Sequence, residues 1–405
     1  MKILYIGSVG PFGGASRSLY EVLGGMPEGA LDAYFLMPKG TALTFYRRVA
    51  TDVMPTIGIS RFDHTRVSHY RGKRWVILLR EMMWIAPTLW GLLRARWRWG
   101  RVDIVHVNEF TELPVGVIAK RLFGARLVVH VRALVDDDRG KRRTRWLHRT
   151  LARRADAVVA IDGNVRATLP TDLPVDIIHN SFAAEPREVP DSAYLAQFDR
   201  LRTGALKVGF VGNLLFNKGI VELVRAAALV RQAGADVQFV IVGGGIAAPT
   251  GLAALALRRA GLGQNAGDAV RALIAELGLE DDVLLFGPTA DIQRVYPRFD
   301  VLAFPSHLDA PGRPVFEAAL ASVPSIVAAR YPTPDTLVPD MTGIAIPEPT
   351  PEAIAAAVLR FANDPALVRD MGTAAHALAE QNCLPAVAAG KLRAVYARVL
   401  QGGVA

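Results

Sequence analysis

Apolar runs of strand length alternate with segments of helical period along the whole chain, and they do so in two sets. In the first half the runs read KILYIG, LDAYFLMP, VDIVHVN, RLVVHVRA, DAVVAID and VDIIHNS. In the second they read LKVGFVGN, VQFVIVGGG, DVLLFGPT, FDVLAFPS, PSIVAAR and TGIAIPE. Runs this continuously apolar belong to parallel sheets covered by helices on both faces, so the pattern predicts two doubly wound α/β domains. The stretch FAAEPREVPDSAYLAQFDRLRTGA between the two sets is polar and proline-bearing, as a connection between domains is.

In open parallel sheets ligands bind beyond the carboxyl ends of the strands, where loops enter helices. After the first strand comes GSVGPFGGASRSLYEVLGGM, in which Gly10, Gly13 and Gly14 make a turn whose backbone N–H groups suit a phosphate and Ser16 can cap the helix. Glycine turns are common in such folds, so packing alone is an equal reading of this one. The first strand of the second half leads into GFVGNLLFNKGIVELVRAAALV, which places Lys218 and Gly219 at a helix start, where a lysine can neutralise a diphosphate. IVGGG, ending at Gly245, lacks the spaced Gly-x-Gly-x-x-Gly fingerprint, so the chain offers little support for hydride chemistry.

The densest chemistry lies in PSHLDAPGRPVFEAALASVPSIVAA, residues 305–329. A strand ends at Pro305-Ser306, a loop carries Asp309, and a helix begins at RPVFEAALAS with Pro314 at its first position and Glu317 in its first turn. Seven residues separate the two acids, which lets both border one pocket with the backbone amides of Gly312 and Arg313. Two carboxylates that only cap a helix fit the same spacing.

Those residues resemble the nucleotide-sugar-dependent glycosyltransferases of the GT-B fold, the large retaining group called glycosyltransferase family 4 or glycosyl transferases group 1. Pro305, Ser306, Gly312, Glu317, Ala318, Pro324 and Ile326 match that family's pattern, and VGNLLFNKGIVELVRAAALV, DDVLLFGPTADIQRVYPRFDVLAFPS and GGASRSL extend the likeness over nearly the whole chain. The resemblance implies two Rossmann-like parallel-sheet domains facing each other across a cleft: an acceptor-side domain over residues 1–186, a nucleotide-sugar-binding domain over 187–382, and a final segment, 383–405, packing back toward the first domain. It also implies roles. Glu317 would bind the nucleotide ribose and Lys218 the diphosphate; Gly312 and Arg313 would approach sugar and phosphate; Gly13 and Gly14 would close on the diphosphate from the other domain. Asp309 stands where the family has a glutamate beside the transferred sugar, and Asn213 where it usually has an arginine; both departures bear on whether activity is weakened. Arg132 takes the register of the family's histidine, with His130 two residues away on the same strand face. His130 as a core histidine remains an equal reading. His106 and Asn108, at another strand end, would border the acceptor. The mechanism the resemblance implies is retaining transfer, with no metal and no other cofactor.

Charge sharpens this picture. The chain carries a net +9, placed almost entirely in residues 1–200, which hold 30 Lys/Arg against 20 Asp/Glu, whereas residues 201–405 hold 17 against 18. The segment 61–154 alone has 22 basic and 8 acidic residues. HYRGKRWVILLREMMWIAPTLWGLLRARWRWGR combines arginines with Trp75, Trp84, Trp90, Trp97 and Trp99, a composition suited to an interfacial helix, although part of it can equally be core. RGKRRTRWLHRTLARR adds to the same charge. An anionic membrane surface and a glycan or lipid-linked acceptor are the partners this predicts, with a nucleotide sugar as donor; no recognised nucleic-acid module accompanies the charge.

One cysteine, Cys383, rules out an intrachain disulfide, and the opening MKILYIG is too short for a signal peptide's apolar region, which together point to the cytoplasm; the basic, Trp-rich segments add the inner face of the cell membrane. The work expected is synthesis of polysaccharide or another envelope glycan. Two other readings stay open on sequence: a nucleotide-sugar epimerase of the same fold, and a non-catalytic partner that has kept it. Residues 246–268 are longer than this family's connection usually is, for which the sequence gives no physical reason.

Overall fold

The computed structural model describes residues 1–63, 65, 76–136, 138, 140–182, 189–244 and 266–402. The connecting residues 183–188, Gly245, Trp75 and most of the long segment 246–268 lie outside that description. The chain divides into two compact units, Met1–Ala183 with Asn382–Ala405, and Ala184–Gln381.

The first unit is built on seven strands, β1 (Lys2–Ile6), β2 (Asp32–Pro38), β3 (Asp52–Thr56), β4 (Ile104–Val107), β5 (Arg126–Val131), β6 (Ala157–Ala160) and β7 (Asp176–Ile177), in the order β3-β2-β1-β4-β5-β6-β7. Every pairing is parallel. Alternation along the strands sends Leu4, Ile6, Val105, Val107, Leu127 and Val129 into one core and Ile3, Tyr5, Phe35 and Val128 into the other. Helices α1 (Gly14–Gly24) and α2 (Ala42–Tyr46) cover the second of these faces, together with the carboxy-terminal helix Pro385–Leu400, which contributes Ala388, Leu392, Tyr396 and Val399. After α3 (Val76–Met83), helices α4 (Ile85–Trp99), α5 (Leu113–Phe123) and α6 (Arg142–Arg154) cover the first face, through Leu92, Ala95, Val115, Ala119, Leu147 and Leu151. A short helix, α7 (Gly163–Ala167), follows β6.

The second unit repeats the scheme with β8 (Leu206–Val211), β9 (Val237–Val242), β10 (Val283–Gly287), β11 (Val301–Phe304), β12 (Ser325–Ala328) and β13 (Gly343–Ile346), ordered β10-β9-β8-β11-β12-β13 and parallel throughout. Helix α8 (Ser192–Leu195) precedes the sheet, and α9 (Ile220–Gln232), α10 (Gly267–Glu276), α11 (Ile292–Val295), α12 (Arg313–Leu320), α13 (Pro351–Asn363) and α14 (Pro365–Cys383) complete the unit. In both sheets the winding direction reverses once, between β1 and β4 and between β8 and β11. Those two switch points are where the fold leaves a crevice at the strands' carboxyl ends. Among the described residues no helix is long and apolar enough to cross a membrane.

Candidate functional site

The crevice beyond β8 and β11 gathers most of the residues singled out in the second half. After β8 the chain passes Gly212 and the exposed Asn213, makes a 3-10 turn over Phe216–Lys218, and enters α9 from Gly219. Gly219 has φ +70, and a Cβ there would sit 1.8 Å from the Pro305 carbonyl oxygen at the end of β11, so only glycine lets the two strand-end loops touch. The Lys218 ammonium is thereby set 5.3 Å from the centre of the Phe304 ring. That same ring lies against Gly312, where a Cβ would come within 2.4 Å of it. One aromatic wall thus links the lysine to the start of α12. Burial holds the Lys218 ammonium below its ordinary pKa, so its charge is maintained at a cost that a bound anion would offset.

Helix α12 begins one residue earlier than the sequence suggests. Gly312 is its N-cap, with extended backbone, and Arg313 its first residue, so Pro314 is second and Glu317 lies beyond the first turn. Proline fits either of the first two positions because neither needs its N–H. The shift gives Glu317 a different local role from a helix-end carboxylate. Its Oε1 accepts from Arg313 Nε at 2.8 Å, one helical turn back, and its Oε2 accepts from the Tyr296 hydroxyl at 2.7 Å. The acid and the arginine are therefore pre-set as a pair, each side chain less than a fifth exposed.

Asp309 occupies left-handed backbone, φ 54, a conformation acidic residues tolerate better than most, and its Oδ1 accepts from the Arg330 amide at 2.6 Å. It is exposed, on the rim of an open cavity of about 480 Å³ with His307, Glu222, Ser306, Arg330 and Thr350. His307 Nε2 stands 3.2 Å from Glu222 Oε1.

In the first unit the site builds from β1, β4 and β5. Ser16 is the third residue of α1 and not its cap: its hydroxyl accepts from the Gly13 amide at 2.8 Å, while Gly13 and Gly14 have open space where a Cβ would stand. Packing does not demand glycine at either position, in contrast to Gly10, whose Cβ would meet Lys39 oxygen at 2.4 Å. Arg132, just past β5 and 9% exposed, is held on three sides. It donates from Nε to Asn108 Oδ1 at 2.9 Å, from one terminal nitrogen to Asn180 Oδ1 at 2.7 Å, and from the other to His130 Nδ1 at 3.2 Å. The structure thus joins Arg132, His130 and Asn108 in one cluster. His106 stands behind them: it is fully buried, its ring centre 5.6 Å from that of His130, and it shares a 2.7 Å hydrogen bond with the Tyr396 hydroxyl on the carboxy-terminal helix.

Sequence reasoning did not single out the two acids in the same loop. Glu112 accepts from the Ser8 amide at 2.7 Å and the Glu109 amide at 3.1 Å; Glu109 accepts from the amides of Phe110 at 2.9 Å and Arg132 at 3.2 Å. Both line a small cavity at the end of β1 with Ser8, Ser16 and Asn108. The signal was present in NEFTE directly after a strand, an acid pair at a position where loops carry function. Asn180 and Tyr396 carried no such signal, being tens to hundreds of residues from their partners.

Burial sets the protonation of this cluster. It pushes Glu109 up to about 8 and Glu112 up to about 7, against 4.5 for a free glutamate, with the backbone donors opposing the rise. It lowers His106 to about 3 and His130 well below 6.5, aided in both by the Arg132 charge. Arg132 itself, lowered by burial to about 10, stays charged at neutral pH. Above pH 4.5 the unfolded chain gives up glutamate protons that the fold retains, so stability falls as pH rises toward 8. Below pH 6.5 the unfolded chain takes up histidine protons that the fold refuses, so stability also falls toward pH 3, each uncompensated proton changing it by about 1.4 kcal/mol per pH unit. The melting temperature should therefore decline between pH 6.5 and 8, and Glu109→Gln should flatten that decline; equal slopes in calorimetry of the two proteins would contradict the assignment.

The tryptophans divide. Trp99 is buried and donates from Nε1 to Asp52 at 2.7 Å, and Trp84 is half-buried against Gly58, which makes these two the core share that the sequence left open. Trp90 and Trp97 are 62% and 89% exposed, with Leu79, Met82, Met83, Leu89 and Leu93 on the outer side of α3 and α4.

Residues 196–377 match the family described as Glycosyl transferases group 1, and residues 13–180 match the Glycosyl transferase 4-like domain. The chain is 26% identical over 267 residues to 2-deoxystreptamine glucosyltransferase of Streptomyces kanamyceticus, covering 60% of this chain and 63% of that protein. It is 29% identical over 201 residues to D-inositol 3-phosphate glycosyltransferase of Segniliparus rotundus, covering 48% and 40%. The chain thus spans less than two-thirds of the length of these curated relatives. Among solved structures, Anabaena HepE in complex with UDP and glucose superposes with a TM-score of 0.72 at 18% identity, covering 98% of this chain and 99% of that one, a likeness of fold.

Proposed function

Because the chain belongs to the group 1 glycosyltransferases of the GT-B fold, we propose that it moves a sugar, with retention of configuration, from a nucleoside-diphosphate sugar to a hydroxyl of a glycan or lipid-linked acceptor at the inner face of the cell membrane, in envelope glycan synthesis. The observation that carries the proposal is the convergence at the β8/β11 crevice of Lys218, the Gly312–Arg313 start of α12 and the braced carboxylate of Glu317. UDP, which HepE holds, is the first donor nucleotide to test.

In this reading the departing diphosphate is met by the Lys218 ammonium, by Arg313 and by backbone amides at the helix start, the positive charge that carries the negative charge developing on the leaving group. No metal is proposed as a resident cofactor. Glu317, freed from one of its partners, accepts from the ribose hydroxyls. Asp309 is within reach of the sugar only if its loop turns it from the Arg330 amide, and being one methylene shorter than glutamate it sets the sugar nearer the backbone. Arg132 is fixed by Asn108, Asn180 and His130 with its plane defined, and it serves the transferring group as a charge and not as a base. The neutral His130 accepts from it.

Exposed Trp90 and Trp97 with their aliphatic neighbours, beside Arg94, Arg96 and Arg101, support peripheral membrane attachment. The proposal is tested by product analysis with UDP-, GDP- and ADP-sugars and membrane-extracted acceptor. A lipid- or glycan-linked product of retained anomeric configuration is expected. An altered free nucleotide sugar formed without acceptor would overturn it in favour of epimerisation.

A further inference from the structure

Helices α5 and α6 enclose an open groove of about 550 Å³ whose lining includes Arg121, Arg142, Arg149, Arg153, Arg154 and the ring of Trp146. Arg145 joins them, donating to the Gly140 carbonyl oxygen at 3.0 Å. Among the described residues no acidic side chain lines this groove. Among the described residues none of Arg121, Arg142, Arg149, Arg153 and Arg154 has a carboxylate partner, and the acid nearest in sequence to the end of α6, Asp156, is already taken by Lys120 at 2.5 Å and Arg126 at 3.1 Å.

Local stability does not explain this arrangement. Arg153 and Arg154 suit the last turn of α6, but Arg142, Arg143 and Arg145 stand in its first turns, at the end of a helix that favours anions, and the first turn itself holds no acidic residue. Arginines spaced three and four apart on one helix repel one another. The choice of cation is also informative: α6 carries six arginines and no lysine, while the preceding Lys141 is occupied by Asp136 at 2.7 Å. Guanidinium forks fit phosphate oxygens two at a time, which ammonium groups do not.

Position selects the source of the phosphate. Helix α5 packs between this groove and α4, with Arg96 Nε donating to the Leu122 carbonyl oxygen at 3.2 Å, so the arginine groove and the exposed Trp90–Trp97 side of α4 belong to one helical layer of the first unit. Apolar tips beside a cluster of cations are what an anionic leaflet accepts, the tips entering the headgroup boundary and the cations meeting lipid phosphates. We infer that the α5–α6 groove binds the phosphate headgroups of anionic membrane lipids, with α4 supplying the apolar insertion beside it. The inference rests on the peripheral-membrane reading and adds to it the residues that choose the lipid.

The test is flotation of the full chain with phosphatidylcholine vesicles, with and without about a third phosphatidylglycerol, for the native protein, R149E/R153E, the milder R149Q/R153Q, and W90S/W97S, each checked for an unchanged melting curve and unchanged UDP binding. The native protein should float with the anionic vesicles, and R149E/R153E should lower that partition at least tenfold, R149Q/R153Q less so. Native-like flotation of both arginine variants overturns the groove assignment while leaving the membrane reading to W90S/W97S. Failure of the native protein to float on either vesicle overturns both. Saturable binding of inorganic diphosphate, or of RNA, in the absence of vesicle binding overturns the lipid in favour of that ligand. In every arm, UDP binding reports on the transfer reading separately.

Discussion

Replacing Lys218 by methionine is expected to lower kcat/KM for the nucleotide sugar by ~100- to 1,000-fold, the range for loss of one group that stabilises developing charge. The melting temperature of the free protein should meanwhile stay the same or rise slightly. The two halves of this expectation come from one fact: the Lys218 ammonium, set over Phe304 and lowered in pKa by burial, carries a desolvation cost in the free protein. A thioether removes that cost and keeps the packing of the stem. Steady-state kinetics beside differential scanning calorimetry separates the effects, and a variant that loses stability together with activity would assign the lysine to structure instead. Lys218→Arg should recover only part of the rate, because the planar fork does not fill the same place over the ring.

Arg132→Met should have the largest combined effect on stability and rate in the first unit. It leaves Asn108 Oδ1, Asn180 Oδ1 and His130 Nδ1 without their donor. Buried acceptors left unpaired cost about 1–3 kcal/mol each, offset by relief of the guanidinium's own desolvation, for a net loss of roughly 2–4 kcal/mol. A melting temperature lower by about 5–10 °C follows for a unit of this size. Activity measured well below that temperature should fall by ~100-fold or more if Arg132 meets the transferring group. Arg132→Lys should return most of the charge but not the three-way bracing, so its rate should lie between the two. An Arg132→Met protein that melts early yet turns over at the native rate would leave the cluster a structural one.

The sheet was the most legible feature of the sequence, and for a physical reason: strands covered on both faces are apolar nearly throughout, so each of β1, β4, β5, β8, β9 and β11 announces itself as a run with at most one or two polar positions. Lys218 and residues 305–317 were legible because a parallel sheet brings its strand-end loops together at the switch point. The start of α12 was off by one because Pro314 fits two positions equally well. What the sequence hid were partners set by the third dimension. Tyr296 braces Glu317 from a separate turn, and Tyr396 reaches His106 across 290 residues of chain. The tryptophans were separable in principle: Leu92, Ala95 and Trp99 recur at spacings of three and four and face the core, while Trp90 and Trp97, seven apart, share the other side. Reading composition without that period left core and surface open for the segment as a whole and could not say which tryptophan went where. The Glu109–Glu112 pair shows the same limit, since nothing in NEFTE tells a solvated acid from one that burial keeps protonated near neutral pH.

Calorimetric titration of UDP into the native protein, Lys218→Met and Glu317→Ala, in one buffer and at one salt concentration, tests the proposed donor site most directly. The account predicts saturable binding to the native protein and an affinity at least ~10-fold weaker in each variant, the loss expected when one charge-assisted contact worth ~1.4 kcal/mol or more is removed. Native binding that neither substitution changes would contradict it.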